Sequence, residues 1–467
     1  MESTRIVKKS GSYLIGNMAS KVMSSLLLPI YAVYVTASEL GAYDYVATLS
    51  NVIMPIVFFC LWEAALRFIL NESDSEKISS YISSIFFFNT ITVTIMAIMA
   101  IAFKLLCHIE YEFYYYIILY VSLFGFAQIF QAFARATKHN NIYVISGITA
   151  TAVNFVSVLF LVCWLKTGAV GLLWSALLGQ VSILLVISFG IKIFKYISVK
   201  NIDIQLLKKM LCFSSPLILN QVIMWLITGF SKMVINIHIG AEANGLYTFA
   251  SKFSILVTMV GSVVAMALFE EAIMSSKTED FGRKYGLAVS NLNRMFFAVI
   301  TVAFPVIIMF YDLFAGKEYM PSKIYVPILL LYSILMNLST NIGSIFQVIN
   351  KTKYQFITTL IGALGSCGLS YFLVFKCSIT GVVIGQVTGV CLMVLSRYLF
   401  TRKYINIEID FKSFFVQMLI FGVAVILSFN SGIMVNCILF VVACIFEVFY
   451  NKSLIMPFLK KIVHKKM

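Results

Sequence analysis

An all-α integral membrane protein is what this sequence predicts, with about fourteen transmembrane helices. They form two parallel six-helix repeats (lobes) around a central cavity, plus two further helices at the carboxyl end. Three observations lead there. The chain of 467 residues is 61% hydrophobic and only 12% charged, with a mean hydropathy of +0.95. Its basic residues gather in alternate loops between the apolar runs. Segments of the first half return, in order and at a nearly constant offset, in the second.

Soluble domains carry roughly 45–50% apolar and 25% charged residues, so composition sets this chain apart. About 20 apolar residues cross a bilayer core of roughly 30 Å, and runs of that length recur from end to end. Spans are predicted near 11–36, 43–70, 79–105, 113–135, 142–165, 168–190, 212–237, 245–271, 286–312, 324–347, 355–376, 380–400, 413–429 and 433–450. The first is full length and lacks a small-residue cleavage site, so it reads as a helix and not as a cleavable signal. The longest connection, 191–211, is basic and amphipathic. Residues 202–210 are predicted to form an interfacial linker helix on the anionic inner leaflet.

A net charge of +15 suggests a nucleic-acid partner until the charges are placed along the chain. With the amino terminus in the cytosol, Arg5, Lys8 and Lys9 fall on the same side as Lys192, Lys195, Lys200, Lys208 and Lys209. Lys351, Lys353 and the tail lysines Lys460, Lys461, Lys465 and Lys466 join them. The opposite loops hold few cations. This positive-inside pattern describes a multi-pass membrane protein with both termini cytosolic, and it leaves no role for nucleic acid. The nine cysteines form no CxxC pair, and the four histidines lack metal-ligand spacing. There is no P-loop, so neither a cofactor nor catalysis is expected.

The internal repeat is read by shifting the chain. Glu39-Leu40-Gly41-Ala42-Tyr43 matches Ala243-Asn244-Gly245-Leu246-Tyr247, an offset of 247 − 43 = 204. Asn17 falls on Gln221, Asn89 on Asn293, and Gly168-Ala169-Val170-Gly171 recurs as Ser378-Ile379-Thr380-Gly381. Six spans per unit is an even number, so both units start on the same side and are related by an axis along the membrane normal. The expected domains are a first lobe at 1–200, a second at 201–404, and the extra helices with a basic tail at 405–467.

Charge inside a span is costly unless it meets a cavity or a partner. Lys21 lies about 15 Å into the first span at 1.5 Å per residue, on one face with Asn17. It reads either as a cavity cation or as a structural partner of a carboxylate. Along the seventh span, Gln221, Thr228 and Lys232 share a stripe with Ser214 and Trp225. Lys232 and Lys252 are expected across a hairpin from one another, holding an anion between them or each snorkelling to the interface. Arg294 on the ninth span has the same two readings. These four cations stand against Asp44 and Glu63, which favours an anionic cargo. Neutral stripes run along span four (Gln128, Gln131, then Arg135) and span ten (Asn337, Asn341). Such stripes more often join helices than line a path.

Three stretches carry a family likeness: Leu28-Pro29-Ile30-Tyr31 with the Glu39–Tyr43 motif; Leu61-Trp62-Glu63-Ala64-Ala65-Leu66-Arg67-Phe68; and Phe230-Ser231-Lys232-Met233 with Gly245-Leu246-Tyr247 and Ala250-Ser251-Lys252-Phe253. Together they resemble the polysaccharide (O-antigen and capsule repeat-unit) flippases of the multidrug/oligosaccharidyl-lipid/polysaccharide exporter superfamily. Trp62 stands where that family usually has glycine, and Ser231-Lys232 where it commonly has an acid and an arginine. The resemblance implies twelve core helices in two lobes, alternating access, a place in the bacterial inner membrane, and an undecaprenyl-diphosphate-linked oligosaccharide as cargo. A polymerase or other glycan-assembly protein would be the partner. A peptidoglycan-precursor flippase and a multidrug or cation antiporter of the same fold stay open, although an antiporter's cavity should be acidic. An enzyme acting on the same lipid would need larger outer loops.

The repeat offset also sets Arg67 opposite Glu271, near Glu270, at the inner ends of spans two and eight. Glu63 lies one turn before Arg67. These four residues are either a cytosolic gate or solvated boundary charges.

Overall fold

The computed structural model describes residues 27–70, 72–275 and 280–452. Asn17 and Lys21, and with them most of the first predicted span, lie outside the described residues. So does the side chain of Glu270.

The described chain is helical, with no strand among the described residues. After a helical stretch at 27–34 (α1), Thr36 caps α2 (Ala37–Val57) with a capping box. Its hydroxyl accepts from the Glu39 amide at 3.3 Å, and the Glu39 carboxylate accepts from the Thr36 amide at 2.8 Å. The span predicted at 43–70 is two helices. Pro55 lacks an amide donor, and Phe59 and Cys60 then adopt φ of 50°, which ends α2 before α3 (Leu61–Ile69) begins. Both sides of this break are apolar, so hydropathy runs through it.

There follow α4 (Ser75–Leu106), α5 (Tyr114–Ala136), α6 (Asn140–Val158, continuing as a π turn over Leu159–Trp164) and α7 (Gly168–Gly190). The expected linker helix does not stand alone. Asp203 caps α8 (Ile204–Thr228) by accepting from the amides of Gln205 and Leu206, so the amphipathic stretch is the first turns of the seventh span. The connection before it is docked on α4. Ser79 and Ser83 donate to the Tyr196 carbonyl at 2.7 and 2.8 Å, and Ile193 is fully buried. The seventh span resumes after Gly229 as α9 (Phe230–His238).

The remaining helices are α10 (Ala241–Ser275), α11 (Phe281–Phe314), α12 (Val326–Val348), α13 (Thr352–Arg402), α14 (Phe411–Phe429) and α15 (Ile433–Tyr450). Within α13, Ser378 has φ 53° and ψ −138° and turns the chain back, so spans eleven and twelve form a hairpin. Small residues let its two backbones approach. A Cβ at Gly385 would run into the Ser370 backbone, and one at Gly389 into Ser366. Eleven described helices are long and apolar enough to cross a membrane. The hairpin divides one of them, and α10, at 35 residues, adds a further element long enough to cross. An architecture of about fourteen helices is thus what the chain builds.

Helix order repeats as the sequence does. α10 begins 204 residues after α2 (241 − 37), and α11 begins 206 after α4 (281 − 75). By contacts the chain divides into two compact units, one ending at Gly245 and the other beginning at Leu246. The helices α8 and α9 therefore pack with the first unit, against α2, and α8 also against α3 and α4.

Candidate functional site

In the first unit, the amino-terminal ends of α2 and α10 cross with almost no gap. A Cβ placed on Gly41 would overlap the Ala241 carbonyl, and one on Gly245 would overlap the Ala37 carbonyl. Both pairs are related by the repeat offset: 245 − 41 and 241 − 37 are each 204. The crossing is therefore symmetric at the level of the sequence, and each half requires glycine because the obstacle is backbone. Asn244 ties it by donating its side-chain amide to the Gly41 carbonyl at 2.9 Å.

One turn further along α2, Asp44 meets Lys232 of α9 with Oδ1 2.7 Å from Nζ. Their side chains are only 10% and 17% exposed, so the pair is largely out of water. Thr48 adds a longer contact, donating to Asp44 Oδ2 at 3.4 Å, and the Trp225 indole donates to the Thr48 carbonyl at 2.8 Å. Two members of the seventh-span stripe, Trp225 and Lys232, thus reach α2. Lys232, expected as a cavity cation, is neutralised by Asp44. Of its stripe companions, Thr228 is exposed and bonds back to the Met224 carbonyl, while Gln221 is half-buried.

A second polar feature lies toward the end of this unit that carries Arg67, Arg135 and Lys138. A pocket of about 400 Å³ opens between α3, α5, α6 and α7, and its walls include Glu63, Gln128, Gln131 and Gln180. The stripe on α5, expected to join helices, instead opens into this space. The stripe on α12 does join helices: the Asn337 side-chain amide reaches the Val257 carbonyl at 3.5 Å, and the Ser344 hydroxyl shares a hydrogen bond with the Tyr285 hydroxyl at 2.9 Å.

The other expected residues fall as follows. Arg294 turns to the last helix, where its Nη2 donates to the Tyr450 carbonyl at 3.2 Å and its guanidinium lies 5.1 Å from the Tyr450 ring centre. That supports the carboxyl-terminal end of α15, whose orphan carbonyls and dipole favour a cation. Lys252 is half-buried on α10, and Glu271 is exposed on the same helix. Glu63 and Arg67 are both exposed on α3, with no ion pair between them.

Three polar groups escaped the sequence reading. Gln180 is an isolated amide in an apolar run. Arg397 is buried and held by Ser339, Thr358 and Thr359, with its shortest bond, 2.6 Å, to the Ser339 carbonyl. Glu447 is buried on α15 and accepts from Asn451 at 2.8 Å. Arg397 and Glu447 carried a signal, a charge inside an apolar run, but their partners are hydroxyls and amides that no charge pattern reveals. Among the described residues no three His, Cys, Asp or Glu side chains converge as metal ligands would.

Residues 6–269 match the family model described as "Polysaccharide biosynthesis protein". Among solved structures, the fold is similar to one titled "Lipid II flippase MurJ, inward closed conformation", with TM-score 0.73 and 17% identity over 95% of this chain and 99% of that one. It is also similar to an inward-facing multidrug resistance MATE family transporter of the MOP superfamily, with TM-score 0.66 and 18% identity over 82% of this chain and 94% of the other. A further likeness is to a MATE crystal structure in complex with MaD3S, with TM-score 0.52 and 18% identity over 85% of this chain and 95% of that one. No curated protein matches the sequence significantly.

Proposed function

The chain belongs to the polysaccharide biosynthesis protein family, and on that premise we propose that it is a flippase for an undecaprenyl-diphosphate-linked oligosaccharide, an O-antigen or capsule repeat unit. The observation that carries this reading is the glycine crossing of α2 and α10. It is a contact with no slack, beside the Asp44–Lys232 pair that joins α2 to α9, and of the kind a two-state closure needs. By the positive-inside pattern it lies at the periplasmic end. The cargo's head is polar and anionic, so hydrocarbon bars its way. A wet cavity that opens to each side in turn removes that barrier while the polyprenyl tail stays in lipid.

Lys21, with Asn17 one turn before it, and Lys252 are the cations proposed to offset the diphosphate. Lysine suits the task as a flexible point charge that can hold phosphate and release it. Arg67 with Glu271 and Glu270 is proposed as the cytosolic closure, with Glu63 holding Arg67 when that end is open. The seventh span completes the first lobe's contacts, so the lobes proposed at 1–200 and 201–404 would exchange helix contacts as they rock.

Deleting the gene in a bacterium that carries it should leave the lipid-linked glycan stranded on the cytosolic leaflet. Wild type should clear it on complementation. Lys21→Ala should not, although it accumulates in the membrane, and Lys21→Arg should clear part of it. Peptidoglycan precursor accumulating instead would favour the precursor-flippase reading, and no stranded glycolipid at all would favour the antiporter.

A further inference from the structure

The pocket inside the first unit holds none of the cations proposed above to meet the diphosphate, and it shares only Glu63 with the proposed closure. Its polar walls are carboxamides: Gln128 and Gln131 at i and i+3 on α5, and Gln180 on α7, with Glu63 of α3 beside them. Each glutamine is half-buried, and among the described residues none of the three side chains makes a hydrogen bond within the protein. Polar side chains that join helices spend their bonds on one another; these keep theirs for whatever fills the space. Trp62 and Tyr143 supply aromatic surface to the same walls. Arg135, also in the lining, lies over the Tyr143 ring, 5.4 Å from its centre.

This is the composition that a sugar ring requires. A pyranose offers hydroxyls that donate and accept at once, and a carboxamide can meet both roles with one side chain. Its C–H faces rest on aromatic surface. A carboxylate strengthens the hydrogen bonds it accepts. At about 400 Å³ the cavity lies within the range of roughly 300–1,000 Å³ typical of small-molecule sites, far larger than a bare ion needs. Gln128 precedes Arg135 by seven residues, so the carboxamides reach about 10 Å inward from the basic end of the unit.

We propose that this pocket binds a sugar residue of the lipid-linked glycan. The proposal rests on the flippase reading and adds to it a glycan subsite separate from the diphosphate cations. Recognition of the cargo is thereby divided, with phosphate read by lysines and sugar read by glutamines.

The test uses the full chain in lipid nanodiscs and three probes: undecaprenyl diphosphate, undecaprenyl diphosphate N-acetylglucosamine and undecaprenyl diphosphate galactose. Wild type should bind at least one sugar-bearing lipid about tenfold more tightly than the bare diphosphate. In the triple variant Gln128→Leu, Gln131→Leu, Gln180→Leu that preference should fall below about twofold, because buried hydroxyls left without partners are rejected. Its affinity for undecaprenyl diphosphate should not change, which also reports that the variant is folded; Gln131→Leu alone should show the same trend. A wild type that prefers neither sugar lipid, or a preference that survives the triple substitution, overturns the pocket. Failure of wild type to bind any of the three lipids overturns the flippase reading beneath it.

Discussion

Gly41→Val and Gly245→Val should each cut glycan export by about fivefold to a hundredfold while the protein still accumulates in the membrane. The added side chain meets a backbone carbonyl, Ala241 in one case and Ala37 in the other, so no rotamer change can relieve it. Overpacking of this kind costs roughly 1–3 kcal/mol. In the closure proposed above, the crossing would relieve the clash by staying apart, so the cost would fall on the closed state alone. At 1.4 kcal/mol per factor of ten, the ratio of closed to open protein would drop by about fivefold to a hundredfold. A cysteine at Thr48, in a background without other cysteines, should then become reactive to an impermeant thiol reagent added from outside. Gly147 is the control: a Cβ there meets nothing within 4 Å, so Gly147→Val should export normally. Normal export by both crossing variants would reduce the crossing to ordinary packing.

The second large effect concerns the ion pair. Asp44→Asn should leave Lys232 as an uncompensated, largely buried charge, and Lys232→Gln should do the same to Asp44. Breaking a buried pair from one side costs about 3–5 kcal/mol. Each single variant should therefore export poorly and accumulate less. Removing both charges leaves neither without a partner, so the double variant Asp44→Asn/Lys232→Gln should accumulate and export better than either single one. Coupling of this sign is what a double-mutant cycle measures. If Lys232 instead met the diphosphate, the double variant would export no better than Lys232→Gln. Export measured for all four proteins separates the two.

How much of this was legible in the sequence depended on which quantity the sequence exposes. The bounds of α7 at Gly168–Gly190 and α15 at Ile433–Tyr450 match the apolar runs residue for residue, because polar or glycine-containing loops flank them. The break at Phe59 and Cys60 was invisible for the opposite reason: the chain is apolar on both sides, and only backbone torsion changes. The linker at 202–210 was rightly read as amphipathic. Nothing in the pattern shows whether such a segment lies alone or continues into a span; Asp203 capping α8 decides it.

The candidate site divides in the same way. The offset of 204 residues pairs Gly41 with Gly245 in the sequence, yet that the two helices touch at those glycines is a fact of packing. Lys232 stood out as a charge in a span, but its partner lies 188 residues away. Gln128 and Gln131 showed as a stripe, whereas Gln180, alone in an apolar helix, gave no periodic signal. Only the fold brings it to the same pocket.

The claim under all of this is that the chain moves a lipid-linked glycan across a bilayer. It is tested most directly in vesicles that contain the purified full chain and the glycolipid that accumulates in the deletion strain. Oxidation of the sugar by impermeant periodate reports which leaflet holds it. Protein-free vesicles should expose only the outer-leaflet fraction. Vesicles with the wild-type chain should become oxidisable throughout, and those with Gly41→Val should do so about fivefold to a hundredfold more slowly. An inner-leaflet pool that stays protected in the presence of folded wild-type protein would contradict the proposed function.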